Sequence, residues 1–149
     1  MEYRTTAELQ RVAEIHPVPR QARMSREERL MRWAELLGKD PGRELQTLRG
    51  TEFCPLDERY RMRSEASPLT IAFEDQTLRK QGLLNDTYGE AIRFFELTDR
   101  QLHRVLCHCH LGATVDAAVV SRRVAAFARR PEGNLLSRAY TAFRNWATG

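Results

Sequence analysis

The most chemically versatile side chains of this chain are concentrated in one stretch near its carboxyl end. Residues 103–110 hold three of the four histidines and two of the three cysteines. On a helical wheel of about 100° per residue, His103, Cys107 and His110 share one face. Imidazole and thiolate groups are the ligands that zinc prefers, in a tetrahedron of about four. The spacing is therefore compatible with part of a zinc site or of a redox sensor.

A complete zinc site would need a fourth ligand, and Cys54 or His16 would have to supply it. Paired C-x-x-C ligand motifs are absent from the sequence. The alternative interpretation places the histidines at the boundary between core and solvent and treats the thiols as small buried apolar groups. We favour this alternative and expect no resident cofactor, with zinc as the second hypothesis.

The helix that would carry these side chains is marked at both ends. Thr98 and Gln101 have the spacing of a capping box, and Gly112 is a typical residue after a helix end. The pattern predicts a helix near 99–111. Its core-facing stripe would consist of Leu102, Val105, Leu106 and Cys109.

Similar signals predict helices along the rest of the chain. Ser25 and Glu28 form a capping box before an apolar helix that ends at Gly38. The pair Asp40-Pro41 resembles an N-cap and a first helical residue, so a second helix is expected from there to about Thr51.

The later segments follow the same pattern. Ser67-Pro68 opens an apolar segment that we assign to a helix reaching toward Gly82, because no second strand is evident to pair with it. Thr87 and Glu90 form another capping-box pair. A long helix is expected to begin at residue 113 or 114.

These elements predict an all-α fold: a single-domain compact bundle of about six to eight short and medium helices over residues 1–149. A chain of 149 residues is long enough to bury its own core. Pro17 and Pro19 interrupt the helical pattern near the amino terminus, so residues 1–20 are expected to form a loosely attached arm. Residues 135–149 are expected to form an aromatic terminal helix.

The excess positive charge belongs to the carboxyl-terminal quarter of the chain. Residues 112–149 carry six basic and two acidic side chains, a difference equal to the net charge of +4. Guanidinium groups bind carboxylates and phosphates. The candidate partner or phosphate contacts on the predicted long helix are Arg122, Arg123, Arg129 and Arg130, and those on the terminal helix are Tyr140, Phe143 and Trp146.

Several classes of protein are excluded by what the sequence lacks. It has no phosphate-binding glycine loop, no G-x-S-x-G and no H-E-x-x-H, so we do not expect an enzyme. No apolar run approaches the roughly 18 residues of a membrane span. An odd number of cysteines and the absence of a secretory signal favour the cytoplasm.

The interpretation that remains is a small soluble helical binding or regulatory module that acts through protein–protein contacts. Its partner would be an acidic protein or a second copy of the chain in a homodimer. The first alternative is a nucleic-acid-binding protein that uses the arginine face in a helix-turn-helix-like arrangement around Gly112. The second is a metal- or redox-sensing protein that uses residues 103–110.

Overall fold

A computed structural model describes residues 22–106 and 113–129, and about 60% of these residues are helical. The seven α-helices are α1 (Arg26–Gly38), α2 (Leu56–Arg61), α3 (Pro68–Glu74), α4 (Gln76–Lys80), α5 (Tyr88–Phe95), α6 (Asp99–Leu106) and α7 (Ala117–Ala128). A 3-10 turn, Thr51–Phe53, precedes α2. Two short strands, β1 (Glu44–Gln46) and β2 (Thr114–Asp116), form an antiparallel sheet with Leu45 opposite Val115.

The mostly helical class agrees with the prediction, and none of the helices within the described ranges has the length and apolar character needed to cross a membrane. The predicted amino-terminal arm at 1–20 and the predicted aromatic helix at 135–149 lie outside the described residues. So does the last turn of the helix predicted near 99–111, of which the structure describes α6.

Two helix starts follow their predicted capping boxes. The Glu28 backbone N–H donates to Ser25 Oγ at 3.2 Å, and the Ser25 N–H donates to Glu28 Oε2 at 2.6 Å. Thr98 and Gln101 make the same reciprocal pair at 3.2 and 2.9 Å. Each box satisfies two N–H groups that a helix start leaves without a partner.

At α5 only half of the predicted capping box forms. Thr87 Oγ1 accepts the Glu90 N–H at 3.3 Å, as expected. The Glu90 carboxylate turns away and accepts the Leu84 N–H at 2.8 Å and Arg93 Nε at 2.8 Å. The amide of Thr87 donates instead to Asn85 Oδ1. The glutamate therefore joins the preceding loop to the helix.

The helix predicted from Asp40-Pro41 to Thr51 is wrong, and so is the helix start at residue 113 or 114. These segments contain β1 and β2, whose backbone groups pair with each other rather than along a helix. The pairing continues where the Thr47 N–H donates to the Ala113 carbonyl at 2.9 Å. Both strands have only three residues, too few for a period-2 pattern to appear in the sequence.

Pro41 has a different role from the predicted one. Its carbonyl accepts the Ala118 N–H at 3.0 Å, and the Arg43 carbonyl accepts the Ala117 N–H at 2.9 Å. Asp116, the N-cap residue of α7, makes no side-chain capping bond. The turn after α1 therefore caps the start of α7 with backbone oxygens.

The segment after Ser67 is helical, as predicted, but it forms two helices instead of one. Ser67 Oγ accepts the Thr70 N–H at 3.4 Å and begins α3. Asp75 then leaves helical geometry, and its carboxylate accepts the Leu78 N–H at 3.0 Å, which begins α4. An aspartate is a strong N-cap, so the break arises at the residue that caps the next helix.

The core is organised around the side chain of Trp33 in α1. Its ring stacks on Phe95 of α5 with centroids 4.5 Å apart, and Phe94 meets Phe95 edge-on. The indole N–H donates to the Pro68 carbonyl at 2.9 Å, so a buried polar group has its partner. The predicted core residues of α6 that the structure describes, Leu102, Val105 and Leu106, are fully buried.

Helix α1 also packs along α7, the most extensive helix pair of the described chain. Ser121 Oγ donates to the Ala34 carbonyl at 2.8 Å, and a Cβ added at Gly38 would lie 3.6 Å from the same hydroxyl. The hydroxyl of Ser121 on α7 therefore contacts the backbone of α1 directly. Helix α1 is therefore the central element of the described chain.

Replacing one buried ring should cost far more stability than replacing an exposed one. We expect Phe95→Ala to lower the free energy of unfolding by about 3–5 kcal/mol, because Phe95 is fully buried. Phe53→Ala is the matched control, with a side chain 86% exposed, and should stay within about 0.5 kcal/mol. Urea denaturation followed by circular dichroism measures both, with Phe95→Leu as a milder core variant. Equal effects at the two positions would contradict this assignment of the core.

Candidate functional site

The predicted metal ligands are only partly within the described residues. His103 lies half-buried on α6, and its Nδ1 is 3.5 Å from Thr51 Oγ1 in the 3-10 turn. Cys54 directly follows that turn and is a half-buried free thiol. The other candidates, His16, Cys107 and His110, lie outside the described residues. Within 22–106 and 113–129 no three His, Cys, Asp or Glu side chains are grouped to hold a metal, and the zinc hypothesis stays a prediction.

The predicted arginine face is likewise described in part. Arg122 and Arg129 are exposed on or just after α7. Arg123 is half-buried and donates to the Arg104 carbonyl at 2.9 Å, and burial lowers its pKa. Arg130 and the aromatic candidates Tyr140, Phe143 and Trp146 lie outside the described residues. Arg123 thus contributes to the packing of α7 on α6, and binding of acidic groups by the other arginines stays a prediction.

The helix-turn-helix interpretation loses the element that it placed after Gly112. Residues 114–116 form β2, and helix α7 begins at Ala117. The side chains at 114–116 therefore belong to a strand and not to the first turn of a second helix. Binding of nucleic acid by the arginine face is a separate question and stays a prediction.

A different surface stands out on α2 and the 3-10 turn before it. Phe53 is 86% exposed, Leu56 is 50% exposed and Tyr60 is 40% exposed, and no residue of α2 is buried. Leu56 and Tyr60 are one helical turn apart and share a face. Of the large apolar side chains in the described ranges, only Leu84 is similarly exposed. We call Phe53, Leu56 and Tyr60 the α2 patch.

An arginine anchors this helix to the protein. Arg59 NH1 donates to both carboxylate oxygens of Asp99 on α6, at 2.9 and 3.1 Å, and its NH2 donates to the Cys54 carbonyl at 3.3 Å. The Tyr88 hydroxyl lies 2.9 Å from Asp99 Oδ1. The hydrogen bonds that Arg59 donates to Asp99 raise the pKa of Arg59. Hydrogen bonds between ionised groups are the stronger kind, so this cluster fixes the position of α2.

A second set of contacts holds the end of α2 on α5. Arg63, just beyond the helix, pairs with the buried carboxylate of Asp86 through Nε at 3.1 Å. The Tyr88 N–H donates to the Met62 carbonyl at 2.9 Å. A Cβ on Gly89 would lie 2.9 Å from Tyr60 Cβ, so only a glycine permits this approach. The backbones of α2 and α5 are therefore in direct contact.

Helix α2 departs from the usual arrangement of a surface helix, because it has no buried apolar residue. Such helices normally bury an apolar stripe and expose their charged groups. Here Arg59 turns inward to the carboxylate of Asp99, while Leu56 and Tyr60 stay in contact with water. Arg63 reaches the buried carboxylate of Asp86 from an exposed position just beyond the helix. The arrangement keeps apolar side chains at a fixed place on the surface.

The described chain also has a cleft of about 310 Å³ between α1 and α3. Its lining combines three apolar residues with charged residues of both signs: Leu36, Leu37, Ile71, Lys39, Asp40, Arg43, Glu74 and Asp75. The carboxylate of Asp75 is already engaged by Arg32 at 2.8 Å and by the Leu78 N–H. Mixed charge and an engaged carboxylate give the cleft no recognisable reactive arrangement.

Sequence analysis missed the α2 patch. The i, i+4 spacing of Leu56 and Tyr60 was available as a signal, but it is also the spacing of a core stripe. The direction in which the helix faces depends on Asp99 and Asp86, the partners of Arg59 and Arg63, and these are 23 to 40 residues away in the sequence. No local pattern reports such pairings.

Comparison with known proteins gives no relative from which a function could be transferred. No protein-family model matches the chain, and neither the curated proteins nor the solved structures contain a match. Any functional conclusion therefore rests on the residues of this chain alone.

The contact between Gly89 and Tyr60 can be tested with a single methyl group. We expect Gly89→Ala to lower the free energy of unfolding by about 1–3 kcal/mol, because the added Cβ would overlap Tyr60. Gly42→Ala is the control, since a Cβ there meets nothing within 4 Å. Denaturation in urea compares the two variants. A Gly89→Ala protein as stable as the parent would show that α2 does not rest on α5 in this way.

The Asp75 carboxylate gives a prediction for the dependence of stability on pH. Burial raises the pKa of Asp75, but the hydrogen bonds from Arg32 and the Leu78 N–H outweigh it, and the net pKa lies below the ordinary 3.8. The resulting stabilisation is present above that ordinary value and is lost as the pH falls through the lowered pKa.

We therefore expect Asp75→Asn to be less stable than the parent near pH 7 and to approach it in stability below about pH 3.8. Urea denaturation at a series of pH values measures the difference in the free energy of unfolding. Arg32→Gln should likewise be less stable than the parent near pH 7 and approach it in stability as the pH falls. A stability gap that is constant between pH 7 and pH 3 would contradict the ion pair.

Proposed function

We propose that this chain is a small helical module that binds a protein partner through the α2 patch and has no catalysis of its own. The observation that carries the proposal is the exposure of Phe53, Leu56 and Tyr60 on α2 and the turn before it, a segment anchored by Arg59 and Arg63. Burying apolar surface yields about 25 cal/mol per Å². Aromatic side chains also contribute disproportionately to interface cores.

The anchoring of α2 supports binding because it reduces the cost of association. A flexible apolar segment loses conformational freedom when it docks, and that loss weakens binding. Here Arg59 and Arg63 are already paired with Asp99 and Asp86 before any partner arrives. The patch is therefore organised in advance, and little further ordering is needed.

We also propose a cellular compartment and a second contact surface. The free thiol of Cys54 fits a reducing compartment, so we place the protein in the cytoplasm. We propose the exposed Arg122 and Arg129 as a separate contact surface for acidic groups. A regulatory role would follow if occupancy of this patch changes with conditions in the cell.

A photo-reactive side chain at the patch tests the proposal. Phe53 is replaced by p-benzoylphenylalanine in the full chain, which is produced in its native cells and irradiated. We expect a discrete covalent adduct from position 53, because a partner would cover that side chain. The control carries the same group in place of Leu84, which is 70% exposed but outside the patch.

A second change makes the test specific. Adding Leu56→Ser to the position-53 probe should reduce the adduct at least about fivefold, which is the effect of losing roughly 1 kcal/mol of binding free energy. The proposal fails if position 53 gives no adduct, or if positions 53 and 84 give the same products in equal amount.

A further inference from the structure

The charged residues beside the α2 patch change from acidic to basic along the helix. Helix α2 has acidic residues in its first turn and basic residues in its last turn. Asp57 and Arg61 are exposed and four residues apart, as are Leu56 and Tyr60. On a helical wheel the charged pair lies along one flank of the apolar pair. The helix therefore carries two parallel rows, each one turn long.

These two charged groups are not used inside the described part of the chain. Arg59 and Arg63 hold the helix in place, whereas Asp57 and Arg61 form no ion pair in residues 22–106 and 113–129, although their i, i+4 spacing permits one. Asp57 and Arg61 lie beside the exposed apolar row, as the polar rim of a protein interface lies beside its apolar centre.

We infer that the partner of the α2 patch is a second copy of the chain, with the two α2 helices antiparallel across a twofold axis. This inference rests on the proposed function and names its partner. A twofold axis normal to the helix places Leu56 against the partner subunit's Tyr60 and, on the same flank, Asp57 against the partner subunit's Arg61. Every contact is made twice, as in any isologous interface.

The order of charge on α2 selects this arrangement over others. In a parallel twofold pair the two charged rows would lie on opposite flanks of the interface, so Asp57 and Arg61 would not meet across it. A strongly acidic partner would be repelled by the carboxylate of Asp57, whereas a copy of the chain meets that carboxylate with Arg61. An antiparallel copy offers opposite charge at both ends of the apolar row.

The size of the patch sets the strength of the dimer. Three partly exposed side chains bury less than the roughly 1,600 Å² of a standard stable interface. A dimer with a Kd in the micromolar range or weaker is therefore expected. It should be detected by measuring mass over a wide range of protein concentration.

Sedimentation equilibrium of the purified full chain, from about 10 to 500 µM, provides the measurement. We expect the average mass to rise with concentration from 17.3 kDa toward twice that value. Phe53→Ser should weaken the dimer at least about tenfold. Leu84→Ser removes an exposed apolar side chain outside the patch and should leave the dimer unchanged.

A charge exchange tests the antiparallel register. Asp57→Arg and Arg61→Asp each place like charges opposite one another, and each should weaken the dimer about tenfold or more. The double variant restores opposite charges and should return Kd to within about threefold of the parent. Glu58→Arg is the matched control, because it makes the same charge change in the same turn but lies on the other side of α2 from the apolar row.

The outcomes separate this inference from the proposed function. A chain that stays monomeric at 500 µM, or a double variant as weak as both single variants, overturns the twofold dimer. If the probe at position 53 still forms an adduct with a different protein in that case, the binding function stands and only the identity of the partner is wrong. If neither a dimer nor an adduct forms, both fail.

Discussion

The contacts of one buried indole fix the relative positions of three helices. Trp33 stacks on Phe95 and donates its N–H to the Pro68 carbonyl, so α1, α3 and α5 meet at a single side chain. A buried N–H without a partner would be costly, and this requirement sets where the start of α3 lies. Helix α5 in turn carries Gly89, on which α2 rests. The position of the exposed patch therefore depends on the core.

Much of the helical structure was predictable because its signals are local. Ser25 with Glu28 and Thr98 with Gln101 are complete within four residues, and the structure contains both pairs. Strands β1 and β2 were not predictable in this way. The residue opposite Leu45 is Val115, seventy positions later, and no spacing within either segment reports that pairing.

The proposed binding surface was less predictable than the fold for a related physical reason. Sequence analysis favoured residue types with versatile chemistry, such as those at 103–110, and a face of four arginines on the predicted long helix. The α2 patch instead consists of ordinary apolar residues whose significance lies in the direction they face. That direction is set by Arg59 and Asp99, which meet only after the chain has folded.

The carbonyls of Pro41 and Arg43 that receive the first amides of α7 have a consequence for how the molecule assembles. A helix whose opening turn lacks its own side-chain cap is poorly nucleated in isolation. The first turn of α7 is therefore stabilised only when Pro41 and Arg43, more than seventy residues earlier in the chain, are in contact with it. Closing so long a loop is entropically expensive, so we expect the 39–43 turn and α7 to associate late in folding and cooperatively. A cut in the 39–43 turn would then loosen α7, which lies more than seventy residues later in the sequence.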